Sequence, residues 1–290
     1  LAAKCIEVEV TRVWRWTDHL FSFRTARPAG FRFTPGQFAR LGIKADASEA
    51  EPTIWRAYSM VSGPYDEYLE YYSIVVPDGA FTSRLQHLKA GDTIFMEEQN
   101  HGFLTLERFA LEGDLWMLAS GTGLAPFMSM LADPLTWESF DRILLVHSVR
   151  EEKELAYRKE IEGFGGHPVF GDWAQKLRYQ PVVTRESTRF PNQRIPTLIQ
   201  SNELESVVEC PMSLERSKLM LCGNPEMVQD TRASLKQRGF VSVCIGAFLT
   251  ARPDCHRELL VATTAPWPRR HPPPSDPSLR PLPWAPPNKI

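Results

Sequence analysis

The sequence predicts two domains in series, a closed antiparallel β-barrel followed by a parallel α/β sheet. Three observations carry this. At 290 residues the chain is longer than one comfortable core serves. Residues 5 to about 108 alternate apolar and polar side chains in short runs divided by turns, the pattern of half-buried strands. From about residue 112 compact apolar runs alternate instead with helical stretches, the rhythm of a parallel sheet.

In the first part IEVEVTRVW alternates, TDHLFSFRT follows, and TPGQFARLGI carries a Pro-Gly turn into another strand. RAYSMVS, LEYYSIVV and DTIFMEEQ continue the series, and FTSRLQHL (81–88) reads as one helix covering the barrel. In the second part DLWMLAS is a buried strand, GTG a turn and LAPFMSMLAD a helix. DRILLVHSV and KELAYRKEIEGF, then LRYQPVVTR and RIPTLIQSNELES, then KLMLCGN and PEMVQDTRASLKQRG repeat the strand–helix pair. The expected divisions are 1–110 for the barrel, 111–262 for the α/β domain and 263–290 for a proline-dense tail without apolar period, expected to be disordered.

A net charge of −2 supplies no global field for nucleic acid or membrane, so neither is an expected partner, and electrostatic docking must come from a local patch. No apolar run approaches the roughly 18 residues of a spanning helix. The N-terminal LAAKCIEVEV lacks the apolar block of a signal peptide, which points to a cytoplasmic protein. Cys5, Cys210, Cys222, Cys244 and Cys255 are scattered without CxxC spacing, so they read as reduced thiols and no metal site is expected.

SGTGLAP, Ser120 to Pro126, follows a strand and opens a helix. Gly121 and Gly123 there let backbone N–H groups approach an anion, although an ordinary tight turn explains the same residues and Pro126 replaces the third glycine of the usual fingerprint. Arg150 and Arg185 end the next two strands and Arg194 precedes a helix. The carboxyl ends of parallel strands are where ligands bind, and arginines there suit a 2′-phosphate; solvated loop arginines are the plainer reading. In CGNPEM, Asn224 caps a helix that starts at Pro225, which explains the pair structurally. Cys222 reads either as a neighbour of a redox centre or as a small buried residue. RAYS (56–59) sets a cation, a ring and a hydroxyl at the start of a strand, which suits a flat anionic ligand. Taken alone, Tyr58 reads as a packed strand residue.

PGQF (35–38), RAYS (56–59), VPDGAFTSRL (76–85), SGTGLAP (120–126), VHSVR (146–150) and LMLCGNPEM (219–227) occur in an order and spacing that resemble the ferredoxin–NADP reductase family, above all its bacterial members, from about Ile6 to Phe240. The resemblance implies that the barrel binds FAD and the α/β domain NADPH, with hydride passing from NADPH to FAD and single electrons onward to ferredoxin or flavodoxin. It implies that Arg56 binds the FAD pyrophosphate. Tyr58, beside Ala57, would stack on the isoalloxazine. Ser59 would hydrogen-bond near flavin N5. Tyr72, Ser73, Ile74 and Val75 would border the flavin, and Ala80, Phe81 and Thr82 would face the pyrophosphate. Thr122, between Gly121 and Gly123, would stand where flavin and nicotinamide meet, with Cys222 close by and Arg150, Arg185 and Arg194 around the coenzyme phosphates. Tyr58, Ser59 and Cys222 are thus the expected residues of the reaction centre, in a monomeric protein.

Two rivals stand beside this: the reductase component of an oxygenase, usually NADH-linked, and a flavin-binding module impaired in turnover. The absent cysteine cluster weighs against the first, and the GTG and CGNP turns against the second.

The C-terminus departs from the family, whose bacterial members end the last strand with an acidic residue and aromatics. Here VSVCIGAFLTARPDCHRELLVATT runs on into the tail. HRELLVA (256–262) can be encoded as CAT CGA GAA CTA CTG GTA GCN, which one base later reads Ile, Glu, Asn, Tyr, Trp, stop. This predicts a shifted frame in the region from about residue 241, a missing terminal ring and an unpaired sheet edge. A proline-rich extension with its own binding role is the alternative. Sequencing the gene decides it: codons in this stretch that do not give the family-style ending in the second frame reject the shift.

Overall fold

The computed structural model describes residues 4–46 and 48–247. β1 (Cys5–Arg15), β2 (Leu20–Ala26), β3 (Phe38–Ile43), β4 (Ile54–Ser59), β5 (Tyr68–Ile74) and β6 (Thr93–His101) form one antiparallel sheet in the order β4-β3-β6-β1-β2-β5. An antiparallel bridge from Met60 to Tyr71 joins the two outer strands and closes the barrel. Its interior is filled by the inward half of each alternating strand, including Val10, Phe21, Phe23, Leu41, Leu69, Tyr71 and Met96. The helix expected over 81–88 contracts to α1 (Thr82–Leu85), with turn hydrogen bonds carrying the chain on to Leu88. Phe81 and Leu85 are what this segment contributes to the barrel core.

β7 (Asp114–Ser120), β8 (Arg142–Val149), β9 (Leu177–Val183), β10 (Ser217–Gly223) and β11 (Val243–Ala247) form a parallel sheet in the order β11-β10-β7-β8-β9. Its central strands β7, β8 and β10 are buried on both faces, so period two sorts their side chains between two cores. Leu115, Met117 and Ala119 of β7 join α2 (Ala125–Leu131), α3 (Pro134–Ser139) and α4 (Arg158–Glu162) on the side that also holds Leu20, Val61 and Tyr72 of the barrel. Trp116 and Leu118 pack on the other side against α5 (Ile195–Gln200), α6 (Glu203–Val207) and α7 (Pro225–Gln237).

Three expectations change. β11 pairs in parallel register with β10 from Leu219↔Val243 to Gly223↔Ala247, so the edge expected to be unpaired is filled by Val243–Ala247. The stretch expected as one helix over RIPTLIQSNELES is two helices, broken at Asn202, whose φ of 59° is a left-handed conformation that asparagine tolerates. The helix expected over KELAYRKEIEGF is a 3₁₀ turn at Glu152–Glu154, then α4, with Tyr157 between them at φ 60°. HRELLVA and the tail from residue 263 lie outside the described residues.

Tyr157 explains that last break. Its backbone leaves the helical region so that its ring enters the seam between barrel and α/β domain, 4.7 Å from Trp16 and edge-on to Tyr72. Its hydroxyl donates to Glu70 Oε1 on β5 at 2.8 Å and meets Ser22 Oγ on β2 at 2.5 Å. Arg24 Nε reaches the other Glu70 oxygen at 2.8 Å, and Trp16 Nε1 donates to Ser22 Oγ at 2.8 Å. Burial pushes the Glu70 carboxyl up from its ordinary value, opposed by Arg24 and by the Tyr157 hydroxyl. Removing that hydroxyl leaves a buried carboxylate oxygen without its donor. Tyr157→Phe is therefore expected to cost about 1–3 kcal/mol in chemical denaturation at neutral pH. A loss below about 0.5 kcal/mol would show that the seam does not depend on this contact.

Candidate functional site

The parallel sheet runs outward from β7 in both directions, to β8 on one side and to β10 on the other, so a switch point lies between β7 and β10. A crevice opens above strand ends at such a point. Residues 120–123 and 222–225 both stand there. The turn after β7 is a single 3₁₀ turn, Gly121–Leu124, that runs into α2. Its two glycines are required for different reasons. Gly121 has φ 52°, and a Cβ there would meet nothing within 4 Å, so it bends the chain and leaves open space. A Cβ on Gly123 would lie 2.2 Å from the Cys222 carbonyl oxygen, so this glycine lets the turn rest on β10. Gly223 answers from the other side, with φ 136° and no room for a Cβ against Ser120. Ser120 Oγ accepts the Asn224 N–H at 2.9 Å, and the Asn224 side chain caps α7 through Glu226 and Met227.

Beneath the turn lies His147, a residue to which the sequence reading gave no role. Its signal was one imidazole inside an apolar β8 run. It is fully buried, with Nε2 3.1 Å from the Gly121 carbonyl oxygen and Nδ1 3.5 Å from the Tyr179 hydroxyl. Nε2 must carry the proton to donate to that carbonyl. Burial pulls the imidazole down to about 4.

The barrel side meets this turn through β5. Tyr58 is only 8 % exposed, its ring set among Phe23, Tyr71 and Phe81, so the face it can offer a ligand is narrow. Its hydroxyl lies 2.9 Å from Ser73 Oγ, and burial pushes it up to about 12. Arg56 donates to the Trp55 carbonyl at 2.7 Å and forms no ion pair among the described residues. Ala57 is exposed, and Ser59 and Thr122 are partly exposed with no side-chain hydrogen bond among the described residues.

Alternation divides the other expected β5 residues. Ser73 points to Tyr58, whereas Tyr72 turns into the seam beside Tyr157, its buried hydroxyl without a hydrogen-bond partner among the described residues. Ile74 is exposed and Val75 packs at the margin of the barrel core. Thr82 Oγ1 accepts the Val76 N–H at 3.0 Å and Arg84 donates to the Ala80 carbonyl at 2.7 Å, so this segment is held by its own turn; Phe81 is buried in the barrel.

Of the three arginines, Arg150 and Arg185 are brought together. The Arg185 N–H donates to the Arg150 carbonyl at 2.9 Å, and both side chains are exposed without an ion pair among the described residues. Arg194 instead lies along α7, 3.4 Å from Asp230 and 3.7 Å from Glu226. Cys222 is buried, and desolvation holds its thiol far above the ordinary value. The described residues contain no cluster of histidine, cysteine and carboxylate suited to a metal ion.

This barrel and switch-point crevice define a class: two-domain oxidoreductases with a dinucleotide-binding domain. A sequence profile of the oxidoreductase NAD-binding domain matches residues 117–233. The chain is 40 % identical over 237 residues to ferredoxin–NADP reductase A of Sorangium cellulosum, covering 81 % of this chain and 84 % of that one. It is 40 % identical over 232 residues to the flavodoxin/ferredoxin–NADP reductase of Escherichia coli, covering 77 % and 87 %. A ferredoxin NADP+ reductase of Neisseria gonorrhoeae, crystallised with bound FAD and NADP, superposes with a TM-score of 0.77 at 34 % identity, over 84 % of this chain and 99 % of that one. The chain belongs to the ferredoxin–NADP reductase family.

His147 gives a test of the turn. Its folded-state value near 4 lies below the 6.5 of a free imidazole, so the unfolded chain takes up this proton first as pH falls. The stability present above pH 6.5 is lost progressively toward pH 4, by about 3 kcal/mol at most. Urea midpoints of wild type should therefore fall more steeply over that window than those of His147→Gln. Parallel slopes would remove the buried neutral imidazole from the account.

Proposed function

We propose that this chain is an FAD-dependent NADPH oxidoreductase that passes single electrons to ferredoxin or flavodoxin. The observation that carries this reading is the meeting of barrel strand β5 with the GTG turn at the switch point. Such a meeting lets a flavin held on the barrel face a nicotinamide held above the sheet. The donors present fit FAD: an Arg56 guanidinium without an ion pair and Ser59 and Thr122 hydroxyls without a hydrogen bond among the described residues, and open space above Gly121.

In this reading Arg56 holds the pyrophosphate by charge-assisted hydrogen bonds, aided by backbone groups of Ala80, Phe81 and Thr82. Tyr58 offers its narrow exposed face to the ring system, and its bond to Ser73 keeps that face from turning. Ser59 and Thr122 present hydroxyls to the polar edge of the flavin from either side of the cleft. Bound FAD supplies the conversion of a two-electron donor into a source of single electrons. The protein contributes position and electrostatics. Buried and neutral, Cys222 enters as a wall of the nicotinamide site and not as a proton donor.

Arg150 and Arg185 recognise the coenzyme's phosphates, joined by Arg194 once it exchanges its carboxylates for phosphate. The expected acceptor is a small acidic carrier. A monomeric, cytoplasmic enzyme is the setting this reading expects. Among the described residues no helix is long and apolar enough to cross a membrane.

Anaerobic titration of the yellow protein tests the reading, with bleaching of oxidised-flavin absorbance expected at lower NADPH than NADH. Arg185→Gln should raise the NADPH required about 10-fold or more and leave NADH unchanged. A protein that neither nucleotide bleaches, or a variant that shifts both coenzymes equally, would defeat the corresponding part of the assignment.

A further inference from the structure

Glu154 lies in the 3₁₀ turn after β8, nearly buried, and every one of its polar contacts goes elsewhere than to an arginine side chain. Its Oε2 accepts the backbone N–H of Arg150 at 2.9 Å and of Glu151 at 3.3 Å. Its Oε1 lies 3.0 Å from Nε2 of His19, in the turn between β1 and β2 of the barrel. The His19 carbonyl in turn accepts the Val75 N–H at 2.8 Å, so the contact is anchored at the end of β5. One carboxylate thus ties the outer end of β8 to the barrel.

The arginine pair hangs from that end of β8. Beyond the last rungs of the sheet, the Thr184 N–H and Oγ1 both donate to the Val149 carbonyl, at 3.0 and 3.1 Å, and the Arg185 N–H donates to the Arg150 carbonyl at 2.9 Å. The backbone of Arg150 is therefore held on both sides, by Glu154 at its N–H and by Arg185 at its carbonyl. Two backbone donors and the imidazole occupy the Glu154 oxygens, and neither Arg150 nor Arg185 forms an ion pair among the described residues.

We propose that Glu154 is a positioning residue for recognition of the coenzyme's 2′-phosphate. It fixes the backbone from which Arg150 projects, in register with Arg185, and ties that register to the barrel through His19. The inference rests on the assignment of Arg150 and Arg185 to the phosphates. Glu151 and Glu154 also form a reciprocal capping box, and a cap alone would change stability and leave phosphate discrimination untouched.

Calorimetric titration of the FAD-loaded protein separates the two. The probes are adenosine 2′,5′-bisphosphate and adenosine 5′-monophosphate, which differ only in the 2′-phosphate. Glu154→Gln is expected to weaken the bisphosphate about 5- to 10-fold and the monophosphate less than about 2-fold. His19→Ala should weaken the bisphosphate about 2- to 3-fold, and His19→Gln, which keeps a donor, should restore it. Equal losses for both probes, or none for either, in Glu154→Gln would overturn the proposal. Should that variant fail to hold FAD, His19→Ala decides: an unchanged bisphosphate affinity overturns it. Arg150→Gln tells which layer has failed. If Arg150→Gln weakens the bisphosphate and Glu154→Gln does not, the positioning role falls alone. If Arg150→Gln also has no effect, the phosphate assignment falls with it.

Discussion

The Tyr157 hydroxyl on the Glu70 carboxylate is the contact from which the arrangement of the two domains follows. A carboxylate in that seam is affordable only with its oxygens occupied, and the barrel supplies a single cation, Arg24, for one of them. The second donor must come from the α/β domain. Reaching it forces Tyr157 into a left-handed conformation, a strain of about 1–3 kcal/mol that persists because the ring and hydroxyl are fixed on every side. That strain interrupts the helix that would otherwise run on from β8. The short 3₁₀ turn left behind carries Glu154, and so sets where Arg150 stands.

Constraint of a second kind governs the crevice. The GTG turn descends onto β10 because Gly123 has no Cβ, and β10 accepts it because Gly223 has none either. Gly121 then carries a carbonyl that must find a donor below the turn, and His147 provides one at the cost of remaining neutral. The backbone above the sheet is thus immobilised from beneath, while Gly121 leaves open space on its outer side. Fixed backbone groups under open space are what an anionic ligand requires, since none need reorganise on binding.

Much of this was legible in the sequence, and the gaps have physical causes. Alternation declared the barrel, and compact apolar runs declared the sheet, because both follow from local periodicity. Tyr72 and Ser73 could not be told apart as flavin neighbours until register placed them on opposite faces of β5. The helix expected over 153–164 is broken, and the break depends on a buried carboxylate 87 residues earlier in the chain. No local pattern encodes that distance. Tyr58 fits the plainer reading, its ring packed in the barrel as any strand aromatic would be and its hydroxyl on Ser73, while the flat ligand that RAYS suggested stays with the proposed function. His147 and Glu154 were missed because each acts on backbone atoms, whose positions a sequence does not display.

In the proposed reading the three arginines together make a place for an anion on a net-negative protein. Arg150 and Arg185 form no ion pair among the described residues, and the oxygens of the Glu154 carboxylate are taken by two backbone N–H groups and His19. Arg194 is held differently, across a half-exposed gap to Glu226 and Asp230 at 3.7 and 3.4 Å. Exposed pairs of this length are worth roughly 0–1 kcal/mol. A phosphate dianion offers a guanidinium shorter bonds and more charge than either carboxylate. If Arg150 and Arg185 hold the phosphate as proposed, exchange of partners would be favourable for Arg194, which the carboxylates otherwise keep along α7. In that reading two cations without ion pairs and one lightly tethered cation would bind a dianion, without three unpaired positive charges repelling one another in its absence.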